Sequence, residues 1–115
     1  VTLHGTIEDC FYTKIGRLVH LQGQIRVDSD NSNALLIIAI PFAADNGPDS
    51  SGHAIGSLRT HSHDYASDQS YGSFVLIADG WSEMRFQYNK DNAANETFAA
   101  QSNAYYGFSI TYTAT

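Results

Sequence analysis

Apolar and polar residues alternate with a period of two across residues 17–27: Val19, Leu21, Ile25 and Val27 fall on one face, and His20, Gln22, Gln24 and Arg26 on the other. That period fits a half-buried β-strand, whereas a helix would scatter the same apolar residues around its circumference. The pattern returns in residues 105–113, where Tyr106, Phe108, Ile110 and Tyr112 alternate with small or hydroxyl-bearing residues. No segment sustains a helical period. The chain therefore reads as all-β.

Residues 71–78 and 81–88 flank Asp79-Gly80, which predicts a hairpin closed by a tight two-residue turn, with Met84, Phe86 and Tyr88 sharing one face of its second arm. Residues 34–40 form a continuous apolar run ended by Pro41, the pattern of a strand covered on both faces, which a short buried helix fits less well. Shorter strands are expected at residues 3–7, 11–15 and 54–58, with Asn-, Asp-, Gly- and Ser-rich links at 28–33, 43–52 and 89–96. Roughly eight strands at short spacing predict an antiparallel sandwich or barrel, with a jelly-roll-like β-sandwich the preferred version. The absence of internal repeats argues against a solenoid or propeller.

A length of 115 residues predicts a single domain spanning 1–115. Twelve acidic against six basic residues give a net charge of -6 with no Lys/Arg cluster, a poor match to a phosphate backbone, so no nucleic-acid partner is expected. Only 16% of residues are charged, while Ser, Thr, Asn, Gln and Gly abound, which suits an extracellular or particle-bound surface. The single cysteine, Cys10, excludes an intrachain disulfide and reads as a small core residue. No apolar run approaches the length of a membrane span, so membrane insertion is not expected. A chain that begins at Val1 reads as a fragment or processed product of a longer protein.

Three sequence words carry a resemblance: Tyr12-Thr-Lys-Ile-Gly-Arg-Leu-Val19, Leu21-Gln-Gly-Gln-Ile25 and Ile40-Pro-Phe42, followed by a strand that ends the chain. Together they resemble the carboxy-terminal domains of bacteriophage tail fibres and tailspikes, although Ile40 stands where leucine is expected before Pro-Phe. The resemblance implies a compact β-sandwich at the distal end of a fibre, a homotrimer on the extracellular virion tail, used for host-receptor binding or for trimer assembly. The expected receptor is bacterial surface polysaccharide or lipopolysaccharide. Two other readings stand beside it: a trimerisation or folding module without a host ligand, and an accessory carbohydrate-binding module of a depolymerase whose catalytic domain lies upstream.

Candidate site residues fall into two sets. Sugar surfaces combine an aromatic ring with amides, carboxylates and hydroxyls, and Trp81, Tyr65, Asp64, Tyr88 and Asn89 offer those groups, although tyrosines on strands also serve packing alone. His61 and His63 lie two apart, so on an extended strand both rings point the same way. Within one chain they are fewer ligands than a closed zinc site takes. Repeated from three chains around a trimer axis, they would suit an octahedral transition metal. The alternative is a polar loop or strand edge, with no cofactor.

Enzymatic readings are weak, and no enzyme is expected. Asp45, Asp49, Asp64, Asp68 and Asp79 are loop aspartates with no readable pairing, and Ser62 lacks the glycines of a nucleophile elbow. Like charge from Glu8 and Asp9 disfavours a Cys10 thiolate. Asn95-Glu-Thr97 matches a glycosylation acceptor, and Asp28-Ser-Asp30-Asn31 fits no complete calcium loop.

Overall fold

A computed structural model describes residues 2–29, 35–48, 53–64, 72–90 and 93–115. It is all-β, with eight strands: β1 (Thr2–Ile15), β2 (Leu18–Ser29), β3 (Ile37–Ala39), β4 (Ala54–His61), β5 (Ser73–Ile77), β6 (Glu83–Lys90), β7 (Ala93–Thr97) and β8 (Tyr105–Thr113). Every ladder is antiparallel. The strands lie in the order β1-β2-β8-β4-β5-β6-β3, with β7 sharing the outer side of β6 with β3. The sheet curls into a half-barrel.

The curl has a local cause in β4. Its first residues, Ala54, Ile55 and Gly56, pair with β5, whereas Ser57 to His61 pair with β8. One strand thus belongs to both halves and forms the corner between them. Gly56 stands at the switch, so close to the Ser109 carbonyl, Ile110 and Val75 that no side chain fits there.

Alternation then fills the interior. Val19, Leu21, Ile25 and Val27 of β2 and Tyr106, Phe108, Ile110 and Tyr112 of β8 face Val75 and Ile77 of β5 and Met84, Phe86 and Tyr88 of β6, and all are buried. Phe86 is the central contact, its ring 5.6 Å from Phe108 and 6.0 Å from Tyr106, both nearly perpendicular. Edge-to-face geometry suits aromatic quadrupoles and lets three large rings fill one layer. Each buried tyrosine keeps its hydroxyl satisfied: Tyr112 donates to the Phe42 carbonyl, Tyr88 donates to Glu96, and Tyr106 meets His63.

Several sequence expectations shift in the structure. Residues 3–7 and 11–15 merge into one 14-residue strand, irregularly registered between Leu3 and Glu8. The hairpin stands, but only Gly80 of its tip has positive φ, and Trp81 N–H bonds the Ala78 carbonyl. That is the geometry of a type II turn, within a longer connection than two residues. Of the apolar run 34–40, the described residues 35–40 supply only the short edge strand β3, covered on one side, with Leu35 and Ile37 exposed and Leu36 buried. Its neighbour β7 falls where a loop was expected, because Ala93 to Thr97 carries no apolar alternation and is recruited by pairing with β6. Cys10 is exposed and not a core residue, since β1 is the edge strand of the order.

Candidate functional site

The outward faces of β1, β2, β8 and β4 form a broad polar surface, because residues directly opposite across an antiparallel ladder share a face. One row across the strands reads Asp9, Gln24, Gly107, Arg59. The next reads Phe11, Gln22, Ser109, Ser57, and a third Thr13, His20, Thr111. On the other side of the first row stand Arg26, Tyr105 and His61. On β2 and β8 these residues are the outward halves of the same alternations whose apolar halves build the core.

A cleft of about 380 Å³ opens on this face, lined by Asp9, Phe11, Gln22, Gln24 and Ser109 over the backbone of Gly23. Gly107 lies beside it on β8, opposite Gln24. A Cβ there would meet nothing nearer than Arg59 Cβ and the Gly23 carbonyl, both 3.9 Å away, so the glycine leaves bare sheet between Tyr105 and Ser109. Phe11 is 55% exposed and offers a ring at one side, and Tyr105 stands at the other. His20 Nδ1 and Thr111 Oγ1 lie 2.8 Å apart and hold each other in place. An exposed ring, two amides, a carboxylate and hydroxyls around a shallow trough match the apolar face and the hydroxyl groups of a sugar.

Among the described residues, those singled out in the sequence do not converge. Tyr88 is buried with its hydroxyl on Glu96, so it has no stacking face to offer. Trp81 packs partly against the core, and the Arg85 guanidinium lies 4.1 Å over its ring, a cation–π contact that occupies one face. Asn89 lies at the far end of β6 from Trp81, roughly 25 Å away along an extended strand. It borders a second cleft, of about 400 Å³, with His53, Phe74 and Asn95. Asp64 is exposed, with its backbone N–H and C=O both bonded to the Gln101 side-chain amide. Tyr65 lies outside the described residues.

His61 and His63 part company because Ser62 has φ of 61° and breaks the strand between them. The assumption that both rings share a face therefore fails. His61 stays on the outer face, its ring 5.4 Å from Tyr105. His63 turns toward the core, its Nδ1 2.6 Å from the Tyr106 hydroxyl and its ring 4.6 Å from Phe98. Among the described residues no three His, Cys, Asp or Glu side chains gather as a metal site.

Burial lowers the pKa of His63, and the charge of Asp64 opposes this in part. A folded-state pKa below the unfolded value of about 6.5 means the unfolded chain binds its proton first as pH falls. Stability from this group is complete above about pH 6.5 and is lost as pH falls through the folded pKa. Thermal melts from pH 7.5 to 5 are expected to descend, and His63→Gln is expected to flatten that slope. Glu96 acts in a separate, more acidic window: hydrogen bonds from Tyr88 and Lys90 lower its pKa, so its contribution fades only as pH falls below the ordinary carboxylate range.

Sequence reasoning missed Phe11, Gln22, Gln24, Arg59, Tyr105 and Ser109. The alternating amides and hydroxyls of β2 and β8 were legible, but residues 22 and 109 become neighbours only through the ladder. Among the described residues no helix is long and apolar enough to cross a membrane. Comparison of the chain with protein-family models, with curated proteins and with solved structures finds no match.

Proposed function

We propose that this chain is a non-enzymatic domain at the distal end of a bacteriophage tail fibre or tailspike, which binds host-surface polysaccharide or lipopolysaccharide through the outer face of β1, β2, β8 and β4. The observation that carries the reading is the cleft of Asp9, Phe11, Gln22, Gln24 and Ser109, with Gly107 and Tyr105 next in line on the same face of β8. Its side chains are matched to sugar rings and hydroxyls, and they project from paired strands, which hold them at fixed spacing before any ligand arrives. A homotrimer on the virion tail would present three such faces on one rigid tip. A repetitive surface then converts weak single-site binding into long residence.

Binding of the 115-residue chain to an immobilised glycan panel tests the reading. Phe11→Ala and Tyr105→Ala are each expected to weaken binding about tenfold, the scale of one lost stacking contact, with melting temperature little changed. Retention of full affinity in both folded variants would remove this face from the function. Light scattering is expected to give the mass of three chains, and a monomer at micromolar concentration would remove the avidity argument.

A second reading, a trimerisation module without a host ligand, draws support from the open seam of the half-barrel. There Cys10, Phe11, Tyr12, Ile38, Ile40 and Pro41 surround an apolar cavity of about 300 Å³ floored by Leu21, Met84 and Phe108. Apolar surface of that kind suits burial against other subunits. Trimers that bind no glycan would favour it.

A further inference from the structure

We propose that the ligand of this face is an anionic glycan whose acid group, a uronate carboxylate or a phosphate ester, docks on the Arg59 guanidinium beside Tyr105. The inference rests on the sugar-binding reading above and names the class of sugar. It follows from where the cations of an acidic chain are spent. Six basic residues oppose twelve acidic ones. Arg17 pairs with Asp45, Arg85 with Glu83 and Lys90 with Glu96, while Lys14 bonds the Gly16 carbonyl and lies 5.3 Å over the Phe42 ring. The remaining two, Arg26 and Arg59, have no carboxylate partner among the described residues.

Both stand on the same outward face, Arg26 opposite Tyr105 and Arg59 two residues along β4 from His61, the residue opposite Tyr105 on the other side. Arg26 is opposite Tyr105, with its guanidinium 5.5 Å from the ring centre and Nη2 donating to Asn103 Oδ1 at 3.0 Å. Arg59 is exposed and sits opposite Gly107, whose missing side chain opens the approach to it. Asp9 and Asp28 share this face, but neither forms an ion pair with Arg26 or Arg59, so these two arginines are where an outside anion gains most. A guanidinium fork receives a carboxylate or phosphate through two parallel hydrogen bonds. Arg26 is held against Tyr105 and adds field, and Arg59 has its donors open to solvent.

Asp9 gives the site a direction. It lies in the row of Arg59 but three strands away, about 14 Å across the sheet. An acid group is repelled there, while neutral hydroxyls can donate to its carboxylate. A glycan laid across the strands therefore binds with its acidic residue at the β4 side and a neutral residue over Gln24 and Asp9.

The test uses the 115-residue chain against four immobilised probes: polygalacturonate, its carboxyl-reduced form, a phosphorylated mannan and its dephosphorylated form. Binding to at least one acidic probe is expected to exceed its neutral counterpart about tenfold, and the preferred pair identifies the acid group. Arg59→Gln, which changes an exposed side chain, is expected to abolish that preference with the melting temperature unchanged. Equal binding of acidic and neutral forms, or a preference that survives Arg59→Gln, overturns the inference and leaves the sugar-binding face standing. Binding to none of the four by a folded protein overturns the inference, and if the glycan panel shows no binding either, the sugar-binding reading falls with it.

Discussion

Replacing Gly56 by alanine is expected to cost about 3 kcal/mol or more, at or above the upper end of ordinary overpacking, and to lower the melting temperature by at least about 10 °C. The new Cβ would lie against the Ser109 carbonyl, 2.5 Å from Ile110 Cβ and 2.8 Å from Val75 Cγ2. Two of those neighbours are part of the ladder or rooted close to it, so relief requires β4 to withdraw from β8 or β5 at the corner where it pairs with both. Gly107→Ala is the control, because its Cβ would meet only ordinary contacts at 3.9 Å. Its stability is expected to stay within about 1 kcal/mol of the parent, given the opposing entropy and strand-propensity terms. Chemical denaturation of both variants checks the claim, and a Gly56→Ala protein as stable as Gly107→Ala would show that the two halves do not meet as described.

Phe86→Ala is expected to remove about 3–5 kcal/mol, the range for deleting a buried phenyl ring from a packed core. The ring is fully buried and bridges the halves of the sheet through Tyr106 and Phe108. Its loss leaves a cavity that paired strands cannot collapse into without breaking register. Such a loss is a large fraction of the stability of a typical domain, so the variant is expected to unfold at low denaturant or to aggregate. Phe86→Leu, which keeps most of the volume, is expected to cost far less. Urea midpoints for the pair measure the difference, and a cost below about 1 kcal/mol for the alanine variant would contradict a central role for this ring.

Most of the strand content was legible because burial on one side imposes a period of two. Tyr105–Thr113 emerged with its bounds intact, and residues 17–27 foretold most of Leu18–Ser29. The failures lie where that period is weak or deceptive. Residues 34–40 are apolar throughout, so sequence alone could not tell a doubly covered strand from an edge strand whose outward residues, Leu35 and Ile37, stay exposed. Residues 93–97 have no apolar pattern to read, and β6 alone draws them into the sheet.

The candidate site divides in the same way. Local sequence determined that Gln22, Gln24, Ser109 and Thr111 point away from the core, because a strand fixes its own two faces. Only the tertiary structure decided that β8 lies beside β2, that β4 brings Arg59 next to Gly107, and that Tyr105 stands between Arg26 and His61. It also decided that Ser62 would turn His63 inward. Side-chain alternation is a property of a few consecutive residues, whereas strand order is selected by burial of the whole apolar set at once, in partners as far apart as Leu18 and Thr113.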